Sequence, residues 1–370
     1  MRAAFVEVDL RRIALNLAHL HSFVPQAAIM AVVKANAYGH GAVQVAQAAL
    51  QAGAEWLGVA TLDEAEELRH AGILAPILIL GHVRPEEYEQ CSRRGVSVTI
   101  SEPDQASLAE RSAARGGRAV GVHLKVDTGM GRIGGRASDV VDLAAQVARS
   151  EHLRLEGVYS HYASAGQDEE FTRKQTAQFT AALQKLERRQ LLPTWRHIQN
   201  SAGIFLGPVA GTNMVRAGIA MYGLNPDGVN ASPPGLAPAL SLHARVTFVK
   251  RVPRGTPIGY GGTFVTDRET QIATLGVGYA DGYRRGLSGR ARVLLGGMHW
   301  RVAGRISMDQ TVIAVDADFP VSAGDEAVLL GRQGDREVSA EELARMLGTI
   351  NYEVVCALAV RLPRIYRPRS

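Results

Sequence analysis

Two hydrophobic periodicities alternate along the chain. From about residue 29, short runs rich in β-branched residues are separated by longer stretches whose apolar positions recur at helical spacing. The strand-like runs are "AIMAVVKA", "EWLGVA", "PILILG", "VSVTI", "AVGVHLKVD", "LEGVYSH", "TWRHIQ" and "NMVRAG". Between most of them lie helical stretches such as "AVQVAQAALQAG", "LDEAEELRHAG", "PDQASLAERSAARG", "SDVVDLAAQVARS" and "EEFTRKQTAQFTAALQKLERRQ". Several close on glycine, the usual helix stop, with acidic first turns and Arg-rich last turns that suit the helix dipole. Eight strands, each followed by a crossover, have the spacing of an α/β fold of the (β/α)8 TIM-barrel type over residues 11–230. Periodicity leaves a doubly wound open sheet as the rival, since it does not distinguish a closed sheet from an open one. Lys34, Asp127, His161 and Arg216 fall at predicted strand ends, where barrels place their chemistry.

The pattern changes after "NPDGVNASPPGLAP", residues 225–238, a linker by composition. Beyond it "LSLHARVTFVKRV", "QIATLGVGYADG", "ARVLLGG", "HWRVAGRISMDQTVIAV" and "DEAVLLG" read as strands between glycine turns, with one helix at "SAEELARMLG". The opening strand "AFVEVDL" is out of phase with the barrel series and is assigned to this second part. The expected division is therefore a barrel at 11–230 and a mainly β domain at 1–10 plus 236–370.

Composition removes several classes of function. The 370 residues carry a net charge of +5, 46% hydrophobic and 21% charged residues, as an ordinary globular protein does. The cations are dispersed, with no basic stripe interleaved with aromatics, so nucleic acid is not an expected partner. No apolar run reaches bilayer-spanning length, and the N-terminus lacks a signal-peptide pattern, so a cytoplasmic location is expected. Cys91 and Cys356 are far apart in the chain and fit reduced thiols, and no metal-ligand spacing is present.

Lysine usage points to the chemistry. Only five of the 41 cationic residues are lysines: Lys34, Lys125, Lys174, Lys185 and Lys250. Lys174 and Lys185 sit on a polar helix, whereas Lys34 and Lys125 end or interrupt strand-like runs. An ammonium there must be paired, neutralised or used. A partly desolvated lysine at a barrel strand end is a nucleophilic amine, and the loop "ANAYGHG" after Lys34 has two glycines that let backbone approach a ligand.

The stretch "VVKANAYGHG" closely resembles the pyridoxal-phosphate lysine motif of alanine racemases. Eight further motifs follow in the family's order: "HLKVDTGMGRIG", "GVYSHYA", "HIQNSAG", "VRAGIAMYG", "PIGYGGTF", "GVGYADGYRR", "GRISMDQT" and "TINYEVVC". The resemblance spans nearly the whole chain. It implies a barrel plus a β domain, a head-to-tail homodimer with shared active sites, and interconversion of L- and D-alanine that supplies D-alanine for peptidoglycan.

By the same resemblance, Lys34 binds the cofactor covalently and serves as base for one face of the substrate Cα. Tyr260, from the other subunit, is the opposing base, and His161 and Arg216 tune it. Arg216 also donates to the cofactor's pyridine nitrogen. The phosphate falls to neutral donors: Tyr38, Ser201, the N–H groups of Gly218 and Ile219, and Tyr352. Arg132 corresponds to a residue that holds Tyr260 and the substrate carboxylate, Met308 to one whose backbone N–H meets that carboxylate with Asp309 beside it in the substrate site, and Tyr279 to an entrance tyrosine. Lys125 matches a position that often carries a CO₂-derived carbamate, with a plain Lys125–Asp127 pair as the alternative. The chain departs from the family pattern at Gly259 (commonly Ser), Phe264 (commonly Tyr) and Ser307 (frequently Cys). These departures leave substrate range open.

Three rivals are weaker. Gly129, Gly131 and Gly134 spell G-x-G-x-x-G, but no helix begins inside the glycines, as a nicotinamide site requires. A decarboxylase of the same barrel type would favour a carboxylate near the pyridine nitrogen, where this chain has Arg216. A broader racemase acting on serine or basic amino acids differs only in pocket size.

Overall fold

Parallel strands covered on both faces need unbroken apolar runs, and that is what the chain supplies where the barrel forms. A computed structural model describes residues 3–230 and 233–367; Ala231 and Ser232 of the predicted linker lie outside them. One unit holds Ile13–Ala37 and Ala42–Met221, and the other holds the remaining described residues.

The chain opens with β1 (Ala4–Asp9), which belongs to the second unit. The first unit is built on β2 (Ala28–Val32), β3 (Trp56–Val59), β4 (Ile77–Ile79), β5 (Ser97–Ile100) and β6 (Val120–Asp127). It continues through the short β7 (Gly135–Arg136), which pairs only with β6, then β8 (Leu153–Tyr159), β9 (Trp195–His197) and β10 (Met214–Ala217). The parallel order is β10-β2-β3-β4-β5-β6-β8-β9. The ring closes where Asn213 N–H donates to Arg196 O and Arg216 N–H to Gln199 O, both at 3.0 Å. The closed arrangement decides the open-sheet alternative against. All eight predicted strands and all five predicted crossover helices are present. Thr61 and Asp168 cap the helices Leu62–His70 and Glu169–Arg188, each with two acidic residues in the first turn.

The barrel interior has two kinds of filling. Ala28, Met30, Trp56, Leu78 and Met214 form an apolar cluster. Beside it lies a polar layer of His123, Lys125, Tyr159, His197 and Arg216, all buried. His123 meets Trp56 edge-on, and the Tyr159 ring stacks on His197 at 4.7 Å.

The second unit contains β11 (Leu240–Val252), the small hairpin β12 (Pro257–Ile258) and β13 (Phe264–Val265), then β14 (Thr270–Leu275) and β15 (Arg292–Leu295). After these come β16 (Met298–Val302), β17 (Thr311–Asp316), β18 (Glu326–Gln333), β19 (Arg336–Val338) and β20 (Arg364–Arg367). Its main sheet runs β19-β18-β15-β16-β17-β14-β11-β1-β20, and a further β18–β11 pairing curls it on itself. β1 lies antiparallel to β11 and parallel to β20.

Candidate active site

Lys34 follows β2 at the C-terminal end of the barrel, partly buried. The tight loop expected after it is a left-handed turn carried by Ala35, Asn36, Ala37 and Tyr38, with φ of 53°, 52°, 53° and 54°. None is glycine, and each such residue costs about 1–2 kcal/mol. Side chains offset part of that cost. Glu64 Oε1 accepts from Ala35 N–H and its Oε2 from Ala60 N–H, both at 2.7 Å. Asn36 Oδ1 accepts from Ala42 N–H at 2.8 Å. Glu64 thus ties the segment beside Lys34 to the end of β3.

Arg216, on β10 beside β2, is 3% exposed. Its Nη1 donates to His197 Nδ1 at 2.7 Å, and the two hydrogens of its Nη2 are shared among Ser160 O, His161 Nδ1 and Ile198 O at 2.7, 3.1 and 3.0 Å. No carboxylate bonds it among the described residues. Burial pulls its pKa down to about 10, which still leaves it cationic at neutral pH. Its Nε–H has no acceptor among the described residues.

His161 is driven neutral, to about 2, first by burial and then by the charges of Arg216, Lys125, Arg132 and Lys34. Because Arg216 donates to Nδ1, the ring proton sits on Nε2. The Asn200 amide nitrogen, 3.4 Å away, is also a donor and makes no bond there. Gln175 Nε2 holds the His161 carbonyl at 3.0 Å.

Lys125 is 4% exposed and lies 4.3 Å from the centre of the Tyr159 ring. Burial, then Arg216 and Arg132, hold its pKa well below the usual ammonium range. Asp127 turns away: its carboxylate accepts from the Gly129 and Gly131 N–H groups and forms no ion pair with Lys125. The Lys125–Asp127 pair is therefore not made. Arg132 is exposed and lines a cavity of about 230 Å³ with His82, Thr99, Ser101 and Gln105.

Ser201 starts a single helical turn, Ser201–Ile204, whose Asn200 side chain caps Gly203 N–H at 3.0 Å. Ser201 Oγ accepts from Gly218 N–H at 2.9 Å and Ala220 N–H at 3.2 Å, which leaves its own hydrogen available to donate elsewhere. Gly218 N–H, expected to meet the phosphate directly, donates to Ser201 Oγ in this structure. Ile219 heads a 3-10 turn, and its N–H has no acceptor within that turn.

The second unit carries the other expected residues. Tyr38 packs on Tyr222 and lies 6.2 Å from Tyr352, ring centre to ring centre. The Tyr352 hydroxyl donates to Pro226 O at 3.0 Å, and burial raises its pKa. Tyr260 stands on the turn between β12 and β13 and is 70% exposed. Tyr279 and Ala280 N–H groups donate to Ser307 O and Met308 O, both at 3.0 Å, which fastens the Tyr279 segment to the Met308 loop. Met308 N–H is left without an acceptor among the described residues. Arg361 bridges buried Asp281 and exposed Asp309, each at 2.7 Å.

Sequence reasoning gave no role to His123, His197, Tyr159 or Glu64. A signal existed for the first two: histidines inside β-branched runs of a barrel strand point either to the core or to solvent-free polar contacts.

Strand ends are where such barrels work, and this one furnishes that end with an amine and neutral donors suited to a small anion. The class is a (β/α)8 enzyme with an appended β domain. Comparison with known proteins narrows it. The family model described as "Alanine racemase, N-terminal domain" matches residues 8–226, and "Alanine racemase, C-terminal domain" matches 239–366. An alanine racemase of Symbiobacterium thermophilum is 47% identical over 367 residues, covering 99% of this chain and 97% of that protein. The solved alanine racemase of Streptomyces lavendulae superimposes with a TM-score of 0.92 at 38% identity, covering 100% of this chain and 98% of that one. That of Bacillus anthracis with bound L-Ala-P gives 0.91 at 40%, covering 100% and 96%. The chain belongs to the alanine racemase family.

Proposed function

We propose that the protein interconverts L- and D-alanine with pyridoxal phosphate held by Lys34, and that Lys34 and the Tyr260 of a second copy act as bases on opposite faces of the substrate Cα. The observation that carries this reading is Arg216, a buried guanidinium held by four neutral acceptors with its Nε–H left to donate. The residues fit the cofactor. Ser201 O–H and Ile219 N–H are neutral donors for a phosphate, and the resemblance extends the set to Tyr38, Gly218 N–H and Tyr352, the last two by turning from their present acceptors, Ser201 Oγ and Pro226 O.

Pyridoxal phosphate, when bound, supplies an electron sink for the pair released when the substrate Cα loses its proton. An arginine keeps its proton, so a ring nitrogen facing Arg216 accepts a hydrogen bond without becoming protonated, which favours simple proton exchange over transamination. Lys34 holds or returns a proton at its Nζ on one face. Tyr260 must do the same on the other, and a phenol is a reluctant acid at neutral pH that needs help. His161 offers it: a neutral ring with its proton on Nε2 can donate to a phenolate oxygen and favour the ionised form. Met308 N–H and Arg132 are assigned to the substrate carboxylate, with Asp309 beside Met308 and held by Arg361. Tyr279 is assigned to the entrance.

The exposure of Tyr260 supports its supply to a partner subunit in a homodimer. Lys125 is assigned a CO₂-derived carbamate: a buried neutral amine near the Arg216 and Arg132 guanidiniums adds CO₂ at its nitrogen and releases one proton, becoming an anion that orients Arg132. Among the described residues no helix is long and apolar enough to cross a membrane, and cytoplasmic supply of D-alanine to peptidoglycan completes the proposal. The test is to incubate the purified protein with L-alanine, serine and lysine, with and without added cofactor, and to follow chirality. Cofactor-dependent D-alanine is expected; its absence overturns the reading.

A further inference from the structure

The polar layer of the barrel continues past Arg216 in a direction the proposed chemistry does not use. His197 Nδ1 accepts from Arg216, and His197 Nε2 lies 3.0 Å from His123 Nδ1. The far nitrogen of His123, Nε2, is fully buried with no hydrogen-bond partner, and faces Glu156 Oε2 at 4.0 Å. Glu156 is ion-paired with Arg154, whose Nε and Nη2 donate to Oε1 at 2.9 and 2.5 Å, and its Oε2 accepts from Ser97 O–H at 2.6 Å.

The direction of each bond follows from Arg216 alone. A guanidinium can only donate, so His197 Nδ1 must be the bare nitrogen and its proton must sit on Nε2. That proton is donated to His123 Nδ1, which places the His123 proton on Nε2, aimed at the carboxylate. Both rings are neutral: burial, then the Arg216 charge, pushes His123 down to about 3, and the same causes hold His197 well below its usual range.

The strands make room for this line of groups. Gly157 lies opposite His123 in the β6–β8 register. A Cβ at Gly157 would stand 2.3 Å from His123 Nδ1, and one at Gly121 would stand 2.0 Å from Glu156 Oε2. Neither glycine has a positive φ. They are required for space and not for backbone conformation, and their space is occupied by the imidazole and the carboxylate.

We propose that His197, His123 and Glu156 form a one-way polar relay through the barrel interior that fixes the orientation of Arg216 and ends facing the Glu156 carboxylate, which Arg154 pairs from its other oxygen. No proton moves along it. Each dipole points its negative end toward the guanidinium, which compensates a buried cation that has no bonded carboxylate. These are positioning residues: none touches substrate or cofactor. The relay stands on the chain alone, whereas its consequence for reaction outcome rests on the role assigned to Arg216 above.

The test is nitrogen-15 NMR of the full-length protein labelled at histidine, recorded without added cofactor. Both rings are expected as the Nε2–H tautomer, neutral across pH 6 to 9. An Nδ1–H tautomer or a titrating ring at either position overturns the relay. In Glu156→Gln the His123 Nε2–H resonance is expected to move while that of His161 stays; an unmoved His123 signal removes Glu156 as the terminus. With cofactor, His197→Asn retains an acceptor for Arg216 and should keep the wild-type ratio of racemisation to transamination, whereas His197→Leu should lower it several-fold. Equal ratios in the two folded variants, with the tautomers as expected, would count against the Arg216 role and leave the relay standing.

Discussion

The buried imidazoles make the barrel acid-labile by an amount that can be worked out. His123, His161 and His197 are all held neutral by burial and by Arg216, with values of about 3 and about 2 for the first two. In the unfolded chain each titrates near 6.5. Below that point the unfolded state binds protons that the folded state refuses, so stability falls as pH falls. The loss begins at about 6.5 and grows until the folded value is reached. Between about pH 7.5 and 5.0 His123 and His161 each cost ~2 kcal/mol, from about 1.4 kcal/mol per unit, or ~4 kcal/mol together, and His197 adds in the same direction. This figure depends on the unfolded value alone as long as the folded ones stay below about 4. The assay is urea unfolding of wild type and His123→Gln at both pH values, at one fixed protein concentration because assembly stabilises by mass action. Carboxylates add their own acid loss equally to both proteins. The wild type should therefore lose ~2 kcal/mol more than the variant across the interval. An equal loss would mean that His123 is not neutral in the fold, and the argument for its burial penalty would fail.

Other consequences follow from the assigned roles. Lys34→Ala should abolish the visible absorbance of lysine-linked cofactor, and a surviving band would move the anchor elsewhere. Tyr260→Phe should cut net racemisation by about 10²–10⁴-fold while exchange of the α-hydrogen of one enantiomer with solvent persists. Loss of exchange from both enantiomers alike would refute the two-base arrangement. Arg216→Glu should raise the transaminated fraction several-fold, measured as pyruvate formed per racemisation event. Glu64→Gln sets an amide N–H against a backbone N–H and should cost about 1–3 kcal/mol in urea unfolding, with cofactor occupancy falling alongside. Unchanged stability would show that the left-handed turn needs no such tether.

The strand series was legible because parallel strands buried on both faces leave β-branched runs in the sequence, and helices leave a different period. Lys34, the proposed cofactor lysine, was legible because the chain spends so few lysines and places this one at a strand end. Likeness to a family then supplied roles that no spacing supplies. What the sequence could not reveal was closure and proximity. Whether β9 meets β10 depends on hydrogen bonds between Asn213 and Arg196 and between Arg216 and Gln199, which carry no pattern in the chain. The left-handed turn runs through Ala35 to Tyr38 against their intrinsic preference, held by Glu64 from a segment some thirty positions on. The line from Arg216 to Glu156 joins four strands, and its two spacing glycines look like any other glycines in the sequence. Local periodicity is a property of neighbours in the chain, whereas compensation of a buried charge is a property of neighbours in space, and only the folded barrel brings those together.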